Sequence, residues 1–294
     1  MQAIPISDID TSMSAQLIYG KPLSNSIREQ LRSRIAKLPR PPGLAVILVG
    51  NDPASDIYVS KKIKACPEVG IISHEHRLPE ETTQTEVLDL IARLNANSDV
   101  DGILLQLPLP AHIDANTCLN AIDPEKDVDG LHPQNVGKLV ARQEGIIPCT
   151  PLGCLLLIKS IREDLTGLNA VVVGASLLFG KPMAQLLLKE NCTVTQTHRH
   201  TQDLASFCRN ADILCVAVGK DSLIGSEHIK DGAIVIDVGV NRRADGKVVG
   251  DVDFEAVFPK AGAITPVPGG VGPMTITCLL QNTVDIAEKK LNKN

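Results

Sequence analysis

NAVVVGASLLFGKPMAQLLLKEN, residues 169–191, decides the fold. It opens as a short β-branched run, turns on Gly174, and continues as a helical pattern with Pro182 in its first turn, where a fixed φ is tolerated. A glycine at such a turn lets backbone approach a phosphate, and the helix N-terminus behind it favours negative charge. The span from Gly174 to Gly180 is one residue longer than GxGxxG, so the pattern alone also fits an ordinary connection. Its continuation favours the first reading. TVTQTHR (193–199), ADILCVAVG (211–219) and GAIVIDVGV (232–240) are three further strand-like runs, and ITPVP (264–268) ends on prolines.

The first of these three strands bears on the cofactor. An NAD site usually carries a carboxylate near that strand's end for the ribose 2′-hydroxyl. Here the tip reads Thr197-His198-Arg199-His200-Thr201. An arginine there suits a 2′-phosphate through its charge and fork of donors, which favours NADP. A solvated loop is the other reading of Arg199. His198 and His200 alternate as metal ligands can, but no third ligand stands nearby, and no metal is expected.

Upstream, GLAVILVG (43–50), a helical stretch over 54–69, ISHEHRL (72–78), a helix whose face is Val87, Leu90, Ile91 and Leu94, and VDGILLQLPLP (100–110) repeat the alternation as βαβαβ. IDANTCLNAI is a short helix candidate, PLGCLLLIKSI opens the second half, and PMTITCLLQNTVDIAEKKL (273–291) closes it. The pattern predicts an α/β fold of two domains built from parallel-sheet βαβ units, the second Rossmann-like, with the active-site cleft between them. The expected units are residues 1–148 and 149–276, with the closing helix 277–294 completing the first. Residues 1–12 read as a loose leader, with Met13 as an alternative start.

The 294 residues are 44% hydrophobic, enough for two cores. A formal net charge of -5 and 2% aromatics give neither the basic surface nor the stacking platform that nucleic acid needs. The chain carries no secretory pattern and no apolar run long enough to cross a bilayer. Eight cysteines without a CxxC pair read as buried thiols in a reducing, cytoplasmic setting.

Four stretches could form a site. In DPASDIYVSKK (52–62) a capped helix begins just past a strand, and Tyr58 and Lys62 share one face. Such a pair is either a solvated surface or a ligand site, and ligands in open α/β sheets bind beyond the strands' C-terminal ends. Gln106 interrupts the apolar run; it either bonds to backbone or faces the cleft to orient a lysine. Asp129-Gly130 is either an ordinary turn or a carboxylate for a planar heterocycle. PVPGGVGPM (266–274) is either a tight connection or a backbone wall for a ligand.

YVSKK, GILLQLPLP, KDVDGLHP, PCTP, VVVGAS with GKPM, DVGVNR, GDVDF and TPVPGGVGPMT occur in order from about residue 43 to the end. Together they resemble the methylenetetrahydrofolate dehydrogenase/cyclohydrolase family. The resemblance implies oxidation of 5,10-methylenetetrahydrofolate with NADP, then hydrolysis of the methenyl form to 10-formyltetrahydrofolate, which serves purine biosynthesis. It makes Lys62 the catalytic lysine, Gln106 its modulating partner, Tyr58 the ring that stacks on folate, and Asp129 the holder of the pterin amino edge. Leu105, Leu107, Pro268, Gly269 and Gly270 would complete the substrate site. Gly174, Ala175, Ser176, Arg199 and Val240 would line the NADP site. It also implies a homodimer formed through the cofactor domains.

Two positions depart from the pattern. Leu152 stands where Lys or Arg is common after PCTP, and Ala175 where many relatives carry Arg, leaving Arg199 to meet the 2′-phosphate. No GxxxxGK[ST] segment occurs, which argues against a fused formate–tetrahydrofolate ligase. Two rival readings are a dehydrogenase of another small substrate, such as a shikimate-type enzyme, and a nucleotide-sensing regulator without turnover. The long shared motifs weigh against the first, and the Lys62–Gln106 pairing against the second.

Overall fold

A computed structural model describes residues 15–291. The leader over 1–12, Met13 and residues 292–294 lie outside the described residues.

The chain begins with β1 (Gln16–Leu17) and α1 (Gly20–Ile35). Next come β2 (Gly43–Val49), α2 (Pro53–Val69), β3 (Ile72–Leu78), α3 (Gln84–Ala96), β4 (Gly102–Leu105) and α4 (Ala115–Ala121). Two helices, α5 (Pro133–Val140) and α6 (Cys149–Ile161), lead into the second half. There the order is β5 (Asn169–Val173), α7 (Gly180–Lys189), β6 (Thr193–Thr197), α8 (Leu204–Cys208), β7 (Ile213–Val216) and β8 (Ile234–Asp237). A small ribbon of β9 (Asn241–Arg242) and β10 (Val248–Val249) follows, then α9 (Phe254–Val257), β11 (Ala263–Ile264) and α10 (Val271–Leu291).

The first sheet is parallel, in the order β3-β2-β4. Successive side chains of a strand point to opposite faces. Leu44, Val46, Leu48 and Leu104 therefore pack under α1, α2 and α10, while Ala45, Ile47, Val49, Ile103 and Leu105 pack against α3 and α4. Both faces of β2 and β4 are covered, which is why these two strands read as unbroken apolar runs, while the edge strand β3 alternates. The local signals agree with this. Thr83 and Glu86 form a reciprocal capping box that starts α3, and Gly70, at φ +97°, ends α2.

The second sheet is also parallel and has the order β1-β11-β8-β7-β5-β6. The strand after β6 returns to the far side of β5, so β5 and β7 flank a topological switch point, where ligands of doubly wound sheets sit. One face of this sheet carries α6 and α7, and the other a core around Leu214, Val216, Val235 and Val257.

Several expectations need correction. The unit expected over 1–148 does not hold its N-terminal strand: β1 pairs with β11, the open edge of the second sheet, and Ile18 is buried in that sheet's core. The closing helix belongs to both cores. Val271 and Met274 lie in the second, and Leu279, Leu280 and Val284 in the first. Arg199 lies beyond β6, which stops at Thr197. Likewise Gln106 lies one residue past β4 rather than inside it.

Candidate active site

The first cluster forms at the C-terminal end of the first sheet. Asp52 accepts the Ser55 N–H at 2.7 Å and Pro53 opens α2, so this helix starts just past β2. One turn apart on it, Tyr58 is 37% exposed and Lys62 only 8%. The period of two that sends Leu105 toward α3 turns the next side chain, Gln106, toward α2. Lys62 Nζ accordingly donates to Gln106 Oε1 at 3.0 Å. The Gln106 Nε2 donates to the Leu107 carbonyl at 2.6 Å, and its backbone N–H donates to the Ile47 carbonyl. The amide is thus anchored to backbone and presents its oxygen to the lysine.

Asp129 lies on the loop between α4 and α5. Asp127 beside it is buried and structural: its carboxylate accepts from the His132 N–H and the Asn135 amide. Gly130, at φ +68°, turns the chain so tightly that a Cβ there would press on Ile147 and Pro148. That contact lays the Asp129 loop against the start of α6. Cys149 Sγ donates to the Val128 carbonyl, and burial pushes its thiol far above the usual range. Asp129 adds to that rise and Lys62 opposes it, so both charges act on one buried sulfur. From α10, Asn282 Nδ2 donates to the Val128 and Ile147 carbonyls at 2.8 and 2.9 Å, joining the two segments.

The glycine-proline turn faces the start of α1. Gly269, at φ +112°, accepts from the Gly20 N–H, and Gly270 leaves no room for a Cβ beside Thr265 and Pro266. Pro268 is exposed and Gly269 half-buried.

The second cluster lies at the switch point. Gly174 has φ +125°, and a Cβ there would strike the Ala217 carbonyl of the β7 loop. Gly180 abuts the Gly174 carbonyl, which keeps the start of α7 close to β5. Ala175 and Ser176 are exposed between them, and Ser176 Oγ accepts the Phe179 N–H. Arg199 is exposed past β6, its Nε donating to His200 Nε2, and Val240 is 56% exposed past β8. These residues all stand at the C-terminal edge of one sheet. The cradle suits a dinucleotide: glycine backbone, a helix N-terminus, and a cation one strand away.

A cavity of about 730 Å³ lies elsewhere, between Asp101, Lys126, Lys138, Asn282 and Lys290. It sits by the N-terminal ends of the first sheet's strands and mixes both signs of charge, away from Lys62. Among the described residues no helix is long and apolar enough to cross a membrane. All eight cysteines are buried as free thiols.

The sequence reading missed the β7 loop, although ADILCVAVG enters a glycine just as VVVG does. It also gave no role to Asp237 and Asp251, whose only signal was their place in the shared motifs.

Fold and site together define a two-unit α/β enzyme with a dinucleotide cradle over one sheet and a buried lysine–amide pair over the other. Family models for tetrahydrofolate dehydrogenase/cyclohydrolase match the chain twice: the catalytic domain over 18–129 and the NAD(P)-binding domain over 148–291. A bifunctional FolD methylenetetrahydrofolate dehydrogenase/cyclohydrolase from Campylobacter jejuni is similar at 50% identity, covering 94% of this chain and 100% of that one, with a TM-score of 0.92. The Bombyx mori 5,10-methylenetetrahydrofolate dehydrogenase is 40% identical over 95% and 99%, TM-score 0.90. The Trypanosoma brucei dehydrogenase-cyclohydrolase, solved with NADP cofactor and inhibitor, is 37% identical over 95% and 99%, TM-score 0.90. The chain belongs to the tetrahydrofolate dehydrogenase/cyclohydrolase family.

Proposed function

We infer that the chain catalyses two consecutive steps of one-carbon metabolism. It oxidises 5,10-methylenetetrahydrofolate to the methenyl cation with NADP, and it hydrolyses that cation to 10-formyltetrahydrofolate. When bound, the nicotinamide supplies the hydride acceptor. The chain's residues bind, orient and move protons. For the hydrolysis, water adds to the methenyl carbon and releases a proton; the carbon's bond to one ring nitrogen then breaks, and the formyl group stays on the other. A positioned group that shuttles the proton commonly contributes about 10²–10⁴-fold.

We propose Lys62 as that group. The observation that carries this is the 3.0 Å bond from its Nζ to Gln106 Oε1, which fixes a buried amine at the C-terminal edge of the first sheet. Gln106 orients it, and Tyr58 offers an exposed ring one turn away for stacking on the substrate. Asp129 supplies a carboxylate for the pterin amino edge, with Leu105, Leu107 and the Pro268–Gly270 turn as walls. Gly174, Ala175, Ser176, Arg199 and Val240 hold the cofactor. The division of labour is a folate-binding unit over about 1–148, completed by the closing helix, and a cofactor-binding unit over about 149–276, with β1 lent to the latter. A cytoplasmic homodimer that acts on folates rather than nucleic acid, with its product entering purine biosynthesis, completes the reading. Eight unpaired thiols suit a reducing compartment, and the homodimer follows the family pattern.

Lys62→Met tests the assignment. It should lower cyclohydrolase kcat at least about 100-fold, with NADP binding retained and the melting temperature nearly unchanged. A hydrolysis rate equal to the parent's would remove Lys62 from the mechanism. Arg199→Ser tests the cofactor site separately: KM for NADP+ should rise about tenfold or more, with KM for NAD+ little changed. Equal changes for both cofactors would move the 2′-phosphate contact elsewhere.

A further inference from the structure

Asp251 is 0% exposed and belongs to no part of the site described so far. Its Oδ2 accepts the N–H groups of Val218 and Gly219 at 2.6 and 3.0 Å, and its Oδ1 accepts that of Lys220 at 2.8 Å. Three successive N–H groups thus converge on one carboxylate, the nest geometry that backbone uses for anions. A fourth donor, Asn241 Nδ2, reaches Oδ1 at 2.8 Å and also holds the Gly250 carbonyl. Asp251 is itself held. Asp237, at the end of β8, accepts from the Asp251 N–H at 2.9 Å and the Val252 N–H at 3.0 Å. The fit admits nothing larger than glycine at two places: a Cβ on Gly250 would enter the Asp237 carboxylate, and one on Gly239 would enter that of Asp251.

The nest is the loop that leaves β7, one wall of the crevice at the switch point. Its Ala217 carbonyl lies against Gly174 on the other wall, and Gly219 holds φ +68° within it. The last bond to β5 is from the Ala217 N–H to the Val173 carbonyl at 3.0 Å; the next three N–H groups are fixed by Asp251 instead. We propose that Asp251 is a positioning residue for the cofactor: it sets the β7 wall of the crevice against Gly174, so that the dinucleotide meets a preformed surface. The proposal rests on the cofactor reading of that crevice. Asp251 touches neither the Lys62 pocket nor the residues that hold folate, so the two activities should respond differently to its change.

The experiment compares Asp251→Asn and Asn241→Ala with the parent. An amide at 251 replaces one acceptor oxygen with a donor that opposes the loop's N–H groups. The expected result is KM for NADP+ raised about tenfold or more, dehydrogenase kcat within about threefold, and cofactor-free hydrolysis of methenyltetrahydrofolate within about twofold. Asn241→Ala removes one donor only and should raise KM for NADP+ about two- to threefold. A folded Asp251→Asn protein with unchanged KM for NADP+ would overturn the proposal, as would an equal fall of both activities. If Asp251→Asn fails to fold, Asn241→Ala decides, and an unchanged KM overturns it. Absence of both activities from the parent would sink the functional reading alone. Fluorescence titration with NADPH would then test the positioning role directly, and equal dissociation constants for parent and variant would count against it.

Discussion

Asp237 shows how a single buried side chain can tie the stability of the fold to pH. Burial pushes its carboxyl up to about 6 from an ordinary 3.8, against the pull of three backbone N–H bonds, and the Asp251 carboxylate beside it adds to the rise. The folded chain therefore holds a proton between pH 4 and 6 that the unfolded chain has released. The stabilisation from this group is fully present below about pH 4 and is lost as pH rises through about 6. Relative to Asp237→Asn, the parent should gain roughly 2–3 kcal/mol between pH 7 and pH 4, read from denaturant midpoints of both proteins. Parallel pH curves would contradict this. Individual residues were legible in the sequence where chemistry stood out locally: Lys62 one helical turn from Tyr58, and a glutamine in an apolar run. Asp237 and Asp251 were not, because most of their partners are backbone N–H groups from segments distant in sequence.

At the scale of elements, the alternation of strand and helix was readable because the central strands β2, β4, β5, β7 and β8 are buried on both faces and the longer helices keep an apolar stripe. Strand ends were read too long where the ladder stops short of the strand-like sequence, as with Gln106 beyond β4 and Arg199 beyond β6. The two-residue β1 left no pattern at all; it exists because β11 has a free edge. The contact between α6 and α10 was equally silent in the sequence. Gly153 lets the two helices meet, since a Cβ there would stand 2.9 Å from Met274 Cβ. Gly153→Val should therefore force the helices apart and lower stability by about 2–3 kcal/mol, visible as a lower melting temperature. Stability equal to the parent's would show that the helices can part without loss. Because Thr150 on α6 bonds Thr275 on α10 at 3.1 Å, the same variant should also disturb the start of α10 next to the glycine-proline turn.

In the whole molecule, α10 joins the two cores. Its first turn packs into the second sheet's core and its middle into the first, where Thr277 bonds Ser24 at 2.7 Å and Asn282 ties the Asp129 loop to the start of α6. The lysine pocket and the dinucleotide crevice are thereby held on one framework, each at the C-terminal edge of its own parallel sheet. That arrangement suits the two reactions proposed above, carried out on one substrate. The most direct test follows absorbance of the purified protein with 5,10-methylenetetrahydrofolate and NADP+, run beside NAD+, and then with methenyltetrahydrofolate alone. The account predicts reduction of NADP+ in preference to NAD+, together with accelerated loss of the methenyl band in the cofactor-free reaction. Folded protein that binds NADP yet neither reduces it nor hastens loss of the methenyl band would contradict it.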